Sequence, residues 1–417
     1  MTESSATTPA ELARIIEQLR STRAFRSRPR KAVLGAIEMV IDAWLRPDSA
    51  WFARALAALP AATGFSPEMI RHALPTMLAP LRAPALSHLL EAEVGTCGGP
   101  DIILHVLPGN LPAQAAIPAA LSLAIGSAPL LKAAAGDRLF PLLFAESIAE
   151  RDEHLGRCIA ACYWPGGDRA CEDVVLSSVD LVVASGGDEA IADLSRRARG
   201  RLIGYGDRLS FAVITRDVAA DLSAADHAAS GLALDTAVWD QRGCLSPQLC
   251  LVEGDFELAM DFGARVFRAL ATQARELPPG RLALGDRLAI RRFRDEAEWA
   301  AFAGEPSHLF ALPDEAAGTV RVTAEPALRP SPLGRTLSVA PLQHWTDLAA
   351  LLGPIRPWLE AAGLAAPPER WPRCAEQLSA WGVHRVAGLG EMQRPPLDWR
   401  PGGRPRVGAW IEEPDAP

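Results

Sequence analysis

From residue 100 onward, short apolar runs end in glycine-containing or polar turns, and each is followed by a stretch of helix length. That alternation constrains the fold more than any other feature of the chain. Asp101–Leu107 (DIILHVL) ends at Pro108-Gly109-Asn110 and leads into a small-residue stretch, Ala113–Ile125. A second strand is expected at Pro129–Lys132, with a helix from Asp137 to about Ala149. A third, Val179–Ala184 (VDLVVA), ends in Ser185-Gly186-Gly187-Asp188 and feeds a helix through Ala198; Arg201–Tyr205 is a fourth. Strands alternating with helices through short turns predict parallel βαβ units. In such sheets ligands sit at the carboxyl ends of the strands. The turns at Gly109-Asn110, Lys132 and Gly186-Gly187 all lie at such ends.

The remaining sequence falls into three further segments. Residues 1–95 read as helical: Thr8-Pro9-Ala10-Glu11 has the form of an N-cap with proline in the first turn, and Leu12, Ile15, Ile16 and Leu19 share one face. Helical patterns follow over Lys31–Leu45, Trp51–Leu59 and Pro67–Leu78, punctuated by the prolines at 60, 75, 80 and 84. Residues 210–355 read as a second α/β unit, with strand-like Ser210–Thr215 and Gln248–Val252 and helical Asp221–Thr236 and Glu257–Ala274. Residues 365–417 are rich in Pro, Arg, Trp and Gly and end in a strand-like run, Arg406–Ile411. The expected division is a helical region over 1–95, a Rossmann-type domain over 96–209 and a catalytic α/β domain over 210–360. The last segment, 361–417, is expected to return to the second of these or to an oligomer interface.

Composition narrows the function. The 417 residues carry 42 basic and 50 acidic side chains, a net charge of −8, so a chain-wide nucleic-acid footprint is excluded. Only two of the basic residues are lysine, Lys31 and Lys132, which singles out Lys132 at a strand end. The seven cysteines are odd in number and irregularly spaced, which argues against a disulfide framework and for reduced thiols in a cytoplasmic setting. No signal-peptide pattern opens the chain and no apolar run is long enough for a membrane span. No cysteine or histidine spacing completes a metal site, so none is expected.

The candidate chemistry lies in a few turns. Gly204-Tyr-Gly206 lacks the third glycine of G-x-G-x-x-G. Gly186-Gly187 follows a strand and opens a helix; it reads either as a tight strand-to-helix turn or as a place where a helix N-terminus faces a pyrophosphate. Cys244 sits in Asp240-Gln241-Arg242-Gly243-Cys244-Leu245-Ser246-Pro247-Gln248, on a glycine-containing turn between a helix and a strand. Such a thiol is placed like a nucleophile, although most cysteines are inert core residues. Cys250, inside LCLV, reads as core. No G-x-S-x-G elbow and no P-loop is present.

Taken in order, His105-Val-Leu-Pro-Gly109-Asn110-Leu-Pro112, Leu130-Leu-Lys132, VDLVVASGGDEA (179–190), Gly204-Tyr-Gly206-Asp-Arg208-Leu-Ser210 and Asp240–Gln248 resemble the LuxC-like acyl-CoA reductases, a branch of the aldehyde dehydrogenase superfamily. The late segment Gly382-Val-His-Arg385 to Gly390-Glu-Met-Gln393 and on to Trp399 is similar to the end of that branch. The resemblance covers roughly residues 100–412. It implies an aldehyde-dehydrogenase-like α/β fold and NADPH-dependent reduction of an acyl-CoA or acyl-carrier-protein thioester to a fatty aldehyde. In that reading Cys244 is the nucleophile, Asn110 an oxyanion donor beside the Cys244 backbone N–H, Lys132 the contact to the adenosine ribose or its phosphate, and Ser185, Gly186 and Gly187 the turn that approaches the cofactor.

Two departures refine this. Where the hydrolytic members carry a water-activating Glu, alignment on Ser210 places Tyr205, which favours thioester reduction. Three residues after Lys132, where NAD-preferring members often carry Glu, stands Ala135, which favours NADPH. The resemblance also implies a homo-oligomer. Two other activities fit the same motifs: an aldehyde dehydrogenase oxidising an aldehyde, and a non-reducing acyl-binding or acyl-transfer protein that keeps Cys244.

Overall fold

The computed structural model describes residues 6–326 and 329–411. The outermost residues of the expected first and last segments, and residues 327 and 328 of the third, lie outside them. The chain forms two compact units, Met1–Thr63 with Leu74–Asp207 and Pro396–Pro417, and Gly64–Ala73 with Arg208–Pro395.

The first unit is built on five strands: β1 (Ile102–Val106), β2 (Ala128–Ala133), β3 (Ala160–Tyr163), β4 (Leu181–Ser185) and β5 (Arg201–Tyr205). All are parallel, in the order β3-β2-β1-β4-β5. The order reverses direction between β1 and β4, the position where open α/β sheets bind ligands. Each strand is apolar almost throughout because both faces of the sheet are covered. The helix Pro9–Ser21 lays Leu12, Ile16 and Leu19 against Ile102, Leu104, Leu130 and Val182. Its start is fixed by a capping box in which Glu11 N donates to Thr8 Oγ1 and Thr8 N donates to Glu11 Oε2. Behind it, Trp44 packs on Trp51, Phe140 and Phe144 and donates its indole N–H to Ser147 Oγ at 2.9 Å.

The second unit holds seven strands: β6 (Leu209–Ile214), β7 (Pro247–Glu253), β8 (Ser307–Ala311), β9 (Thr319–Thr323), β10 (Thr336–Leu342), β11 (Leu359–Ala365) and β12 (Arg385–Gly388). Their order is β12-β11-β6-β7-β10-β9-β8, parallel except for the β8–β9 edge. Alternation along β6 divides the core. Ala212 and Ile214 face the helices Leu222–Ala237 and Phe256–Glu276, whereas Phe211 and Val213 face Leu348, Leu352 and Leu378.

The structure corrects several sequence expectations. Pro60 lies inside a helix, Ala50–Thr63, instead of ending it, whereas the helix Pro67–Leu78 runs through Pro75 as expected. Pro60 forfeits one backbone bond, and its fully buried neighbour Leu59 holds the helix in place. Residues 361–417 do not act as one segment: β11 and β12 complete the seven-stranded sheet, and only the part from Pro396 onward joins the first unit. Arg406–Ile411 is not a strand. The backbone N–H groups of Arg406, Val407 and Gly408 all converge on the Glu93 carboxylate, at 2.7–3.1 Å, and a short helix Gly408–Ile411 follows. Three successive N–H groups aimed at one anion are incompatible with the alternating directions of a strand. Among the described residues no helix is long and apolar enough to cross a membrane.

His105, on β1, is buried among apolar side chains, shares a 2.8 Å hydrogen bond with Ser122 Oγ and packs on Trp410. Burial holds its imidazole down, at about 3 against an ordinary 6.5, so it is neutral in the folded chain. Its contribution to stability is therefore complete above pH 6.5 and is lost as pH falls from there toward 3. In acid titrations of unfolding free energy, His105→Gln should flatten the curve over this range. Parallel curves for the two proteins would contradict the assignment.

Candidate active site

In the first unit the strand register aligns the candidate cofactor residues at one edge. Val106 on β1 is paired with Lys132 on β2 and with Ala184 on β4. Asn110 follows β1 by four residues, and Ser185 ends β4 and leads into Gly186-Gly187. All five residues thus stand at the carboxyl edge, around the reversal in strand order.

The loop carrying Asn110 is held by close backbone packing. A Cβ on Gly136 would stand 2.3 Å from Gly109 O, and one on Gly109 would stand 2.9 Å from the Ala134 methyl. The loops after β1 and β2 therefore touch backbone to backbone, a constraint that no reading of motifs revealed. Lys132 is half-buried, with Nζ 5.7 Å from the centre of the Trp164 ring. Burial lowers its pKa, while Cys162 and Glu172 pull it back up. The same burial pushes the neighbouring Cys162 thiol up to about 12.

At Gly186 a Cβ would meet nothing within 4 Å, and at Gly187 only the Asp207 carboxylate at 3.9 Å. The protein's own packing does not demand either glycine, so the turn is open. The helix that follows, Asp188–Arg197, is a poor seat for a pyrophosphate. Asp207 Oδ2 already accepts from Asp188 N at 3.3 Å, and Asp188 Oδ1 accepts from Asp207 N at 3.1 Å. With Glu189 also in the first turn, three carboxylates crowd this helix start. An anionic ligand at this edge would meet the Lys132 ammonium and the open glycine turn rather than a free helix start.

In the second unit Cys244 is exposed on the turn before β7. Of the other cysteines, Cys97 is exposed and the remaining five are buried. Burial raises the thiol pKa of Cys158, Cys162, Cys171, Cys250 and Cys374 alike. Such thiols are protonated and unreactive near neutral pH.

The approach to Cys244 is strained. Trp239, Asp240 and Gln241 all adopt left-handed backbone, with φ of 57°, 49° and 64°. A second left-handed run, Leu333 (63°), Gly334 (62°) and Arg335 (61°), precedes β10. Each non-glycine residue in this region costs roughly 1–2 kcal/mol, so both turns must be held by their surroundings. They hold each other. Arg335 Nε and Nη2 donate to Asp240 Oδ1 at 3.0 and 2.8 Å, and Gly280 N donates to Asp240 Oδ2 at 3.0 Å. Both ionic side chains are essentially inaccessible. Trp239 N is bonded to Met69 Sδ, and its ring meets Phe65 edge-on at 5.1 Å.

The late motif packs on the same segment. Asp235, on the helix leading to the turn, accepts from Gly390 N at 2.6 Å and Met392 N at 3.0 Å. Burial pushes its carboxyl up to about 7, against the opposing pull of these N–H groups. Gln393 Nε2 donates to Ser246 Oγ at 3.1 Å. Sequence reading quoted Asp240, Gln241 and Gln393 within motifs but gave them no role. Arg335 carried no signal, because its partner lies 95 residues away.

A family model described as "Acyl-CoA reductase (LuxC)" matches residues 27–399. Among curated proteins, the long-chain acyl-protein thioester reductase of Vibrio harveyi is 27% identical over 203 residues, 47% of this chain and 41% of that protein. The enzyme of the same name from Photorhabdus laumondii is 28% identical over 166 residues, 38% of this chain and 34% of its own. The matched part of the chain thus spans less than half the length of these relatives. Among solved structures, an oxidoreductase from Marinobacter aquaeolei superposes with a TM-score of 0.75 at 13% identity, covering 93% of this chain and 84% of that one. An NAD-dependent benzaldehyde dehydrogenase from Corynebacterium glutamicum gives 0.73 at 14% identity, covering 95% and 90%. These likenesses show an aldehyde-dehydrogenase-like fold.

Arg335→Ala would leave the Asp240 carboxylate buried without its cation, a change expected to destabilise by about 3–5 kcal/mol. Urea unfolding of the second unit should report it, with the double variant Asp240→Leu/Arg335→Met recovering much of the loss. A single variant as stable as the parent would contradict the clamp.

Proposed function

The chain belongs to the acyl-CoA reductase (LuxC) family, and we propose that it reduces a long-chain acyl thioester to the aldehyde with NADPH, through an acyl group carried on Cys244. One observation carries this reading. Cys244 is an exposed thiol on a turn held from several sides, whereas five other cysteines are buried with raised pKa. Long-chain acyl groups and a thioester donor are taken from the names of the curated relatives.

The Cys244 thiolate attacks the thioester carbonyl, forms a carbon–sulfur bond and expels the donor's thiolate. Asn110 and the Cys244 backbone N–H are assigned to the oxyanion, where one good donor is worth about 3–4 kcal/mol. Lys132, Ser185, Gly186 and Gly187 are the residues that would hold the dinucleotide, which supplies a hydride to the acyl carbonyl. The resulting thiohemiacetal loses its proton and collapses, releasing aldehyde and the Cys244 thiolate.

Tyr205, at the end of β5, supplies no carboxylate to activate water, which protects the acyl intermediate from hydrolysis. The NADPH preference is supported by Ala135 and by the nearest acidic residue in sequence, Asp137. That carboxylate is buried and accepts from Phe140 N at 3.0 Å, and burial pushes it up to about 6. Buried and bonded to Phe140 N, this carboxylate is not exposed to repel a 2′-phosphate held by Lys132.

Oxidation of NADPH and NADH with long-chain acyl-CoA and acyl-protein thioesters tests this. NADPH consumption matched by aldehyde is expected, with Cys244→Ala slower by roughly 10³-fold or more and Asn110→Ala by roughly 10²-fold. Full activity in Cys244→Ala overturns the mechanism, and aldehyde oxidation without thioester reduction overturns the direction.

A further inference from the structure

The ladder between β7 and β10 pairs Leu249 with Ser338, so two residues back Pro247 comes opposite Thr336. The backbone ladder itself starts only at Leu249 and Ser338. The gap is filled by a side chain. Gln241 Nε2 donates to Pro247 O at 2.7 Å and to Thr336 O at 2.8 Å, and Gln241 Oε1 accepts from Thr336 N at 2.7 Å. A carboxamide thus takes the place of a peptide group in the sheet. Because it bonds the carbonyl of Pro247, it also closes residues 241–247 into a ring, with Cys244 at the middle.

A second tie acts on Cys244 itself. Ser210, on the interior strand β6, donates Oγ–H to Cys244 O at 2.7 Å and accepts from Ala361 N of β11 at 3.1 Å. The peptide plane on the carboxyl side of Cys244 is thereby fixed to two strands. Gln241 and Ser210 are both wholly buried, whereas Cys244 is exposed. A loop that only joined a helix to a strand would not need two buried polar side chains to fix the one residue at its apex.

We propose that Gln241 and Ser210 are positioning residues for Cys244: the carboxamide wedge closes the base of its turn and the serine hydroxyl locks its carbonyl, so that the thiol is presented in one orientation. The role rests on the reading of Cys244 as nucleophile, and its test therefore includes a readout that needs no turnover. Alkylation of Cys244 by iodoacetamide, followed across pH by peptide mass spectrometry, should change in rate at neutral pH by fivefold or more in Ser210→Ala and Gln241→Ala. In turnover, both variants should lose tenfold or more in kcat while KM for the acyl thioester stays within twofold. Ser210→Thr, which keeps the hydroxyl, should recover most of the loss. Two folded variants that alkylate at the parent's rate and with the parent's pH profile overturn the proposal. Should Gln241→Ala fail to fold, Ser210→Ala alone decides, since it removes a single oxygen. A parent protein inactive on every thioester would overturn the functional reading, and the alkylation profiles would still decide the positioning role.

Discussion

Two left-handed turns clamped together by the buried Asp240–Arg335 pair are the constraint on which the Cys244 turn depends. Neither turn is favourable by itself. Joined, they fix the end of the helix Leu222–Ala237 against the start of β10, and they place Gln241 where its carboxamide bridges Pro247 O and the backbone of Thr336. The turn that carries Cys244 is therefore mounted on the sheet. Strain held by surrounding structure in this way is a recurrent property of functional turns.

The first unit solves a different problem by simpler means. Parallel strands in register bring their carboxyl ends to one edge, and three separate segments of sequence meet there. Backbone contact between Gly109 and Gly136 keeps the Asn110 loop down on its neighbour. The acidic start of the helix Asp188–Arg197, its first N–H already bonded to Asp207, disfavours a phosphate there.

Strands of the first unit were legible wherever Val, Ile and Leu were concentrated, as in β1 and β4. β11 was not, because LEAAGLA has the composition of a helix. It is a strand because β6 and β12 pair with it on both sides, and because Gly363 admits the Leu389 and Met392 side chains, which a Cβ there would meet at 2.6 Å. The helix through Pro60 and the turn at Arg406–Ile411 went astray for the same reason: contacts distant in sequence overrode the local preference. The Cys244 turn was legible as a glycine-containing turn before an apolar run. Its supports were not, since Arg335, Ser210 and Gln393 reach it from 91, 34 and 149 residues away, and no local pattern marks a partner at such range.

The central claim is that Cys244 carries the acyl group. The direct measurement is to mix the protein with a long-chain acyl-CoA in the absence of nicotinamide cofactor and map the adduct by peptide mass spectrometry. The account predicts one acyl group on the peptide containing Cys244, discharged as aldehyde when NADPH is added. No adduct on that peptide, or an acyl group on another cysteine that NADPH discharges equally well, would contradict it.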